Sequence, residues 1–194
     1  MAKVTGPLFS LSATGQIAKT LVYMSWKGIA DVRKYVIPAN PKTADQITQR
    51  GFVTWAVAKW HSTPFNALDV AAWNLYASIS GSVMSGFNKF VKCCIARKLL
   101  LTAFSPIWAM VISPITATTI DITAAGTDGD TMDLFWGLTP TSMTNEEVVT
   151  NTAGVLTAQL ATLVANTTYY FYLCDSTVPA AARTGIYKTK TIAA

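Results

Sequence analysis

The chain changes character near Pro106. Before it lie nine Lys, three Arg and three Asp with no Glu, a net charge of +9. After it lie two Lys, one Arg, five Asp and two Glu, a net charge of −4. The hydrophobic pattern changes at the same place. Helical spacing rich in Trp and Lys gives way to Thr-rich segments that alternate apolar and polar residues. A joint change of charge sign and period predicts two domains, a basic one over 1–105 and a mildly acidic one over 106–194.

Charged residues make up only 13% of the chain and apolar ones 51%. Soluble proteins average about 25% charged. A surface this poor in charge is expected either in a membrane or against partners. The longest greasy stretch, Leu99 to Ile112, is interrupted by Ser105-Pro106 and is shorter than the roughly 20 residues a span needs. No apolar leader follows Lys3. The pattern therefore predicts no membrane partner and a subunit of a larger assembly.

In the first part, Ile17–Trp26 and Ile29–Ile37 read as two strands, with Lys27-Gly28 as the turn between them. Pro38-Ala39-Asn40-Pro41 ends the hairpin, since proline cannot donate to a ladder. Thr43 and Gln46 have capping-box spacing, and Ile47, Phe52, Trp55, Val57 and Trp60 follow at helical spacing up to Ser62-Thr63-Pro64. A second helix is expected over Leu68–Ser78, with Leu68, Ala72, Trp73 and Tyr76 inward and Gly81 closing it. A third is expected from Ser85-Gly86, with Phe87, Phe90, Val91, Cys94 and Ile95 on one stripe.

An ordered set of short elements runs through this part. It comprises Gly6-Pro7-Leu8-Phe9-Ser10, Ala13-x-Gly15, Leu21-Val22-Tyr23-x-x-Trp26-Lys27-Gly28, Val32-Arg33 and Pro38-Ala39-Asn40-Pro41-Lys42-Thr43. It continues with Gln46-x-x-Gln49-Arg50, Trp73-Asn74 and Ser85-Gly86-Phe87-Asn88-x-Phe90. Over roughly the first 100 residues, the set resembles a family of uncharacterised virion proteins encoded among the structural genes of tailed phages. The resemblance implies a structural component of the particle, made in the host cytoplasm and located in the virion. Its partners would be capsid, neck or tail subunits, or further copies of itself in a symmetric array. Head decoration as a minor capsid or cement protein and a neck, collar or tail position are both open. Trp26, Lys27, Arg33, Asn40, Lys42 and Arg50 are the candidates for docking. Each also has a local structural reading: Trp26 as core, Lys27-Gly28 as turn, Asn40-Pro41 as a helix entry.

The second part reads as an all-β sandwich. Thr119–Thr123 alternates, Asp128-Gly129-Asp130 is a turn, and Met132, Leu134 and Trp136 alternate again. Asn151–Gly154 is a turn, Thr157–Leu163 leads to Tyr169, Phe171 and Leu173, and Ile186–Thr191 closes the set. Leu163-x-x-x-Thr167-x-Tyr169 resembles the corner before the penultimate strand of a fibronectin type III domain, where the tyrosine hydroxyl bonds back to the upstream backbone. Trp136 resembles that fold's core tryptophan. The expected fold is thus an α+β module of a hairpin and about three helices, followed by an immunoglobulin- or fibronectin III-like sandwich.

The residues that bear chemistry form no catalytic, cofactor or metal set. The sole histidine, His61, ends a helix, and no Gly-x-Ser-x-Gly accompanies it. Asp128-Gly129-Asp130-x-x-Asp133 lacks the terminal Glu of an EF-hand loop. Glu146-Glu147 reads as a surface pair. Cys93, Cys94 and Cys174 read as reduced, mostly buried thiols, with no pair to bridge two sheets. The chain is expected not to be an enzyme. Two alternatives to the particle role stand: a nucleic-acid-binding accessory protein using the dispersed Lys and Arg of the basic half, and a tail adhesin whose sandwich binds a host glycan or receptor.

Overall fold

The computed structural model describes residues 2–3, 14–26, 29–37, 39–40, 42–81, 83–100, 106–129, 131–175 and 184–193. The chain divides into two units, Met1–Thr43 and Ala44–Ala194. The structural boundary therefore differs from the compositional one. The change at Pro106 falls inside the second unit, because the helices and the sandwich are bonded to one another there.

The first unit is a four-stranded antiparallel sheet in the order β1-β4-β3-β2. Its strands are β1 (Ala2–Lys3), β2 (Gly15–Ile17), β3 (Leu21–Trp26) and β4 (Ile29–Lys34). β3 and β4 form the expected hairpin, in register from Leu21 opposite Lys34 to Trp26 opposite Ile29. The Lys27-Gly28 turn lies outside the described residues. The strand expected from Ile17 to Trp26 is two strands. Ala18 and Lys19 adopt left-handed φ values of 44° and 54°, and Thr20 N donates to Ile17 O at 2.8 Å. The chain reverses there and β2 folds back on β3.

The second unit begins with α1 (Ala44–Ser62), α2 (Ala67–Ile79) and α3 (Gly86–Leu99), close to the expected spans. Ala56, Trp73, Phe90 and Cys94 are buried between them, with Trp55, Trp60, Phe65 and Tyr76 packed around. Trp73 meets Phe90 edge-on at 5.2 Å between centroids, and Trp60 does the same from α1 at 5.2 Å. Ser85 caps α3 by accepting from Asn88 N. Gly86 is required where α3 starts against α2: a Cβ there would sit 2.6 Å from Asn74 N, whose side-chain Oδ1 accepts from Gly86 N at 2.9 Å. Two expected inward residues, Ile47 and Leu68, are exposed. Residues 44–51 of α1, Ile47 among them, are all exposed.

Seven strands follow: β5 (Trp108–Ile115), β6 (Ile120–Ala125), β7 (Met132–Gly137), β8 (Asn145–Thr152), β9 (Val155–Leu160), β10 (Thr168–Asp175) and β11 (Tyr187–Lys190). All pairs are antiparallel, in the order β11-β10-β7-β8-β9-β6-β5. β8 joins the two layers. Asn145–Val149 pairs with β7, while Thr150–Thr152 pairs with β9. The inward residues of both layers, including Ile120, Ile122, Leu134, Leu156, Phe171 and Leu173, form one core, as in a β-sandwich. At the β8–β9 turn, Ala153 and Gly154 both take positive φ (53° and 81°), as a two-residue hairpin turn demands. Asn151 Oδ1 accepts from Gly154 N at 3.1 Å.

Asp69 ties the helices to the sandwich. It is completely buried near the start of α2. Asp69 N donates to Asn66 Oδ1, and the Asp69 carboxylate accepts from Asn66 N, closing a capping box. The same carboxylate accepts from Ala109 N at 2.9 Å, from Met110 N at 3.4 Å and from Tyr187 Oη at 2.7 Å. Asn66 Nδ2 donates to Met110 O at 2.8 Å, and Ile186 N to Ala72 O at 3.1 Å. One helix terminus thereby holds β5 and β11, the two ends of the strand order. The chain passes so close that a Cβ on Gly185 would overlap the backbone of Ala72 and Trp73.

Removing this carboxylate strands several buried donors at once, and each costs about 1–3 kcal/mol. Asp69→Ala is expected to lose at least about 3 kcal/mol in urea unfolding, and Tyr187→Phe about 1.5–3 kcal/mol. Burial first, then the Asp69 charge and hydrogen bond, push the Tyr187 hydroxyl well above its ordinary value of 10.0. The unfolded chain releases this proton near pH 10 and the folded chain resists. The contribution of Tyr187 is therefore whole below pH 10 and is lost as pH rises above it. Wild type is expected to lose stability more steeply above pH 10 than Tyr187→Phe does in pH-dependent unfolding.

Candidate interaction surface

The nominated docking residues are divided between the two units. Trp26, Lys27, Arg33, Asn40 and Lys42 belong to the first unit, and Arg50 belongs to α1 of the second. Trp26 ends β3 opposite Ile29, and Lys27 lies outside the described residues. Arg33, Asn40, Lys42 and Arg50 are exposed, and Lys42 has a left-handed φ of 49°. Arg33 pairs in register with Val22 and lines an open cleft of about 470 Å³ with Lys34, Tyr35, Gln16 and Val22.

Of the residues between 14 and 43 whose burial is described, none is buried. Ile17 is 41% exposed, Leu21 39% and Ile29 50%. Lys3, Lys19, Lys27, Arg33, Lys34 and Lys42 against Asp31 give this unit a net +5. The unit is thus a cationic sheet whose described apolar side chains are not buried. Sequence periodicity could find its strands but not this, because alternation does not report whether anything covers the apolar face.

The second unit offers a different surface. β11 carries exposed Lys188 and Lys190, while the opposite edge of the same layer, β8, carries exposed Glu146 and Glu147. Glu146 registers with Phe135 and Glu147 with Leu134, on opposite faces of the strand, so the two carboxylates do not converge on one substrate. β8 and β5 are the two strands that pattern reading missed. β8 is exposed at all but two of its eight positions, so no alternation marks it. β5 has register irregularities between Trp108 and Val111 and between Ile112 and Ile115, which break the period of two.

Tyr169 is buried, and its hydroxyl accepts from Val164 N at 2.9 Å, which is the upstream backbone bond its spacing suggested. Leu163 is buried and its N donates to Thr118 O at 2.9 Å. Trp136 packs against the core and meets the Tyr169 ring edge-on at 5.7 Å. On the outer face of the same layer, Phe135 and Tyr172 stack at 5.6 Å.

The remaining chemistry-bearing residues are dispersed. His61 is exposed near the end of α1, 6.4 Å from the Phe87 ring. Gly129 turns with φ 80°, and Asp130 lies outside the described residues. Among the described residues no group of three or more His, Cys, Asp or Glu is placed to hold a metal, and no helix is long and apolar enough to cross a membrane. All three cysteines are free. Burial pushes the Cys174 thiol up to about 11, helped by Asp133, Asp175 and Glu146 and opposed by Arg97. Burial also raises Cys93 and Cys94. Functional relevance would need a thiolate, which these surroundings disfavour. Sequence reasoning passed over Asp69: Asn66-x-x-Asp69 marks a helix start, but nothing local marks its bonds to β5 and β11.

Replacing the corner hydroxyl removes one buried bond that ties Val164 to β10. Tyr169→Phe is expected to cost about 1 kcal/mol, read as a lower urea midpoint with an unchanged slope.

No family model matches the chain, and no curated protein matches it. Among solved structures, it is similar to the sensor domain of the anti-sigma factor RsgI4 in Pseudobacteroides cellulosolvens. That likeness has 23% identity, covers 47% of this chain and 92% of that one, and has a TM-score of 0.38. It is also similar to a computer-based redesign of a β-sandwich protein, with 20% identity over 45% of this chain and 95% of that one and a TM-score of 0.35. Scores this low carry no argument about what this chain does.

Proposed function

We propose that this chain is a structural subunit of a tailed-phage particle. It docks through the basic Met1–Thr43 unit and projects or bridges with the sandwich. The observation that carries this reading is that, among the residues between 14 and 43 whose burial is described, none is buried. A sheet gains its stability by burying one face, and a unit of this size has little to bury by itself. Exposed Ile17 and Leu21, on one face of the sheet, therefore call for a covering surface, and the net +5 selects an acidic one. The ordered Trp26-Lys27-Gly28 and Asn40-Pro41-Lys42-Thr43 elements, through their resemblance to phage virion proteins, supply the particle. In a symmetric array a weak single contact becomes strong by avidity.

The sandwich is of fibronectin III-like type in this reading. Two features support it: a three-strand layer β5-β6-β9 against a four-strand layer β11-β10-β7-β8, and the Tyr169 corner bond to Val164 N.

Mass spectrometry of purified particles tests the role. The chain is expected in stoichiometric amount, with hundreds of copies for head decoration and a dozen or fewer for a neck, collar or tail position. Arg33→Glu with Lys34→Glu is expected to lower incorporation about tenfold. Absence of the chain from particles overturns the reading.

The cleft lined by Arg33 and Lys34 favours one second reading, a nucleic-acid-binding accessory role. That reading requires DNA affinity that falls steeply with salt. No binding to duplex or single-stranded DNA at about 50 mM salt removes it.

A further inference from the structure

None of the first-unit residues whose burial is described is buried, and in the second unit part of β8 presents an open strand edge. Asn145–Val149 of β8 pairs with β7 on one side, and no other described strand lies on its free side, since only Thr150–Thr152 reaches β9. An unpaired edge is a template for another chain. Where β8 parts from β9, an open groove of about 410 Å³ is lined by Asp121, Val148, Thr150, Thr157 and Gln159, among others. Val148, on its wall, is 76% exposed.

We propose that the basic sheet of Met1–Thr43 docks on the β8 edge of a second copy of this chain, head to tail. This rests on reading Met1–Thr43 as the docking unit and names what it docks on. Charge selects the occupant. The unit carries +5, while Ala44–Ala194 sums to zero, so the attraction is to a local acidic site. Within the β11-β10-β7-β8 layer the exposed lysines, Lys188 and Lys190, stand at the far edge, and Glu146 and Glu147 stand at β8. Apolar surface matches as well: exposed Ile17 and Leu21, which pair across β2 and β3 and share one face of the sheet, complement exposed Val148 at the groove of the receiving copy. A second copy supplies both complements without any further protein. Donor and acceptor are different patches, so the contact is heterologous. It closes into a ring or extends along a lattice, as repeated particle positions require.

Sedimentation velocity of the full chain between about 1 and 100 µM tests this at low and high salt. The mass is expected to rise with concentration, less so at high salt. Glu146→Lys with Glu147→Lys is expected to weaken association about tenfold or more, and so is Arg33→Glu with Lys34→Glu. All four positions are exposed, and circular dichroism checks that each variant keeps the fold. Mixing the two double variants is expected to restore association, because the basic sheet of one then meets the acidic edge of the other. A monomer at every concentration and low salt overturns the proposal. So does association that neither reversal weakens, or a mixture that stays monomeric. Self-association by this contact, with the chain absent from particles, removes the particle role and leaves the contact. Incorporation into particles with a monomeric chain does the reverse.

Discussion

The second unit depends on one buried carboxylate. Asp69 closes the start of α2 and then accepts from β5 and from the β11 tyrosine. Burying a charge costs several kcal/mol unless polar groups replace the lost water. Here they are backbone N–H groups, the Tyr187 hydroxyl and the positive end of the α2 dipole. Once that cost is met by geometry, the geometry is fixed, because any shift of α2 away from the sandwich leaves donors unsatisfied on both sides. Gly185 reinforces this by letting the chain before β11 lie directly on the α2 backbone.

That contact changes the meaning of the charge reversal at Pro106. The reversal marks a change of secondary structure within one unit. The first unit ends at Thr43, where a cationic sheet gives way to α1. The second unit carries a sandwich clamped by a helix terminus. None of the side chains of the first unit whose burial is described is buried. In the docking reading, its affinity and its own order rise together.

Much of this architecture was legible because it is local. Phe87, Phe90, Val91, Cys94 and Ile95 announce α3, Ser85 announces its start, and Met132, Leu134 and Trp136 announce β7. Tyr169 was legible too, since its bond spans only five residues. β8 was not, because most of its residues face water and no alternation survives. β5 was not, because irregular register scrambles its period. For the candidate surface, the sequence held the charges of Arg33, Lys34, Glu146 and Glu147. It did not hold the free edge of β8, which exists only because that strand changes partners midway.

The sequence by itself determined most element types, the start of α3 at Ser85, the Asn151–Gly154 turn and the opposite charge of its two halves. These rest on interactions within a few residues or on simple addition of charge. Only the tertiary structure decided which elements belong together. Asp69 reaches Ala109 across 40 residues and Tyr187 across 118. No periodicity encodes a bond of that span, because it is selected by what the folded chain brings within reach of a buried charge.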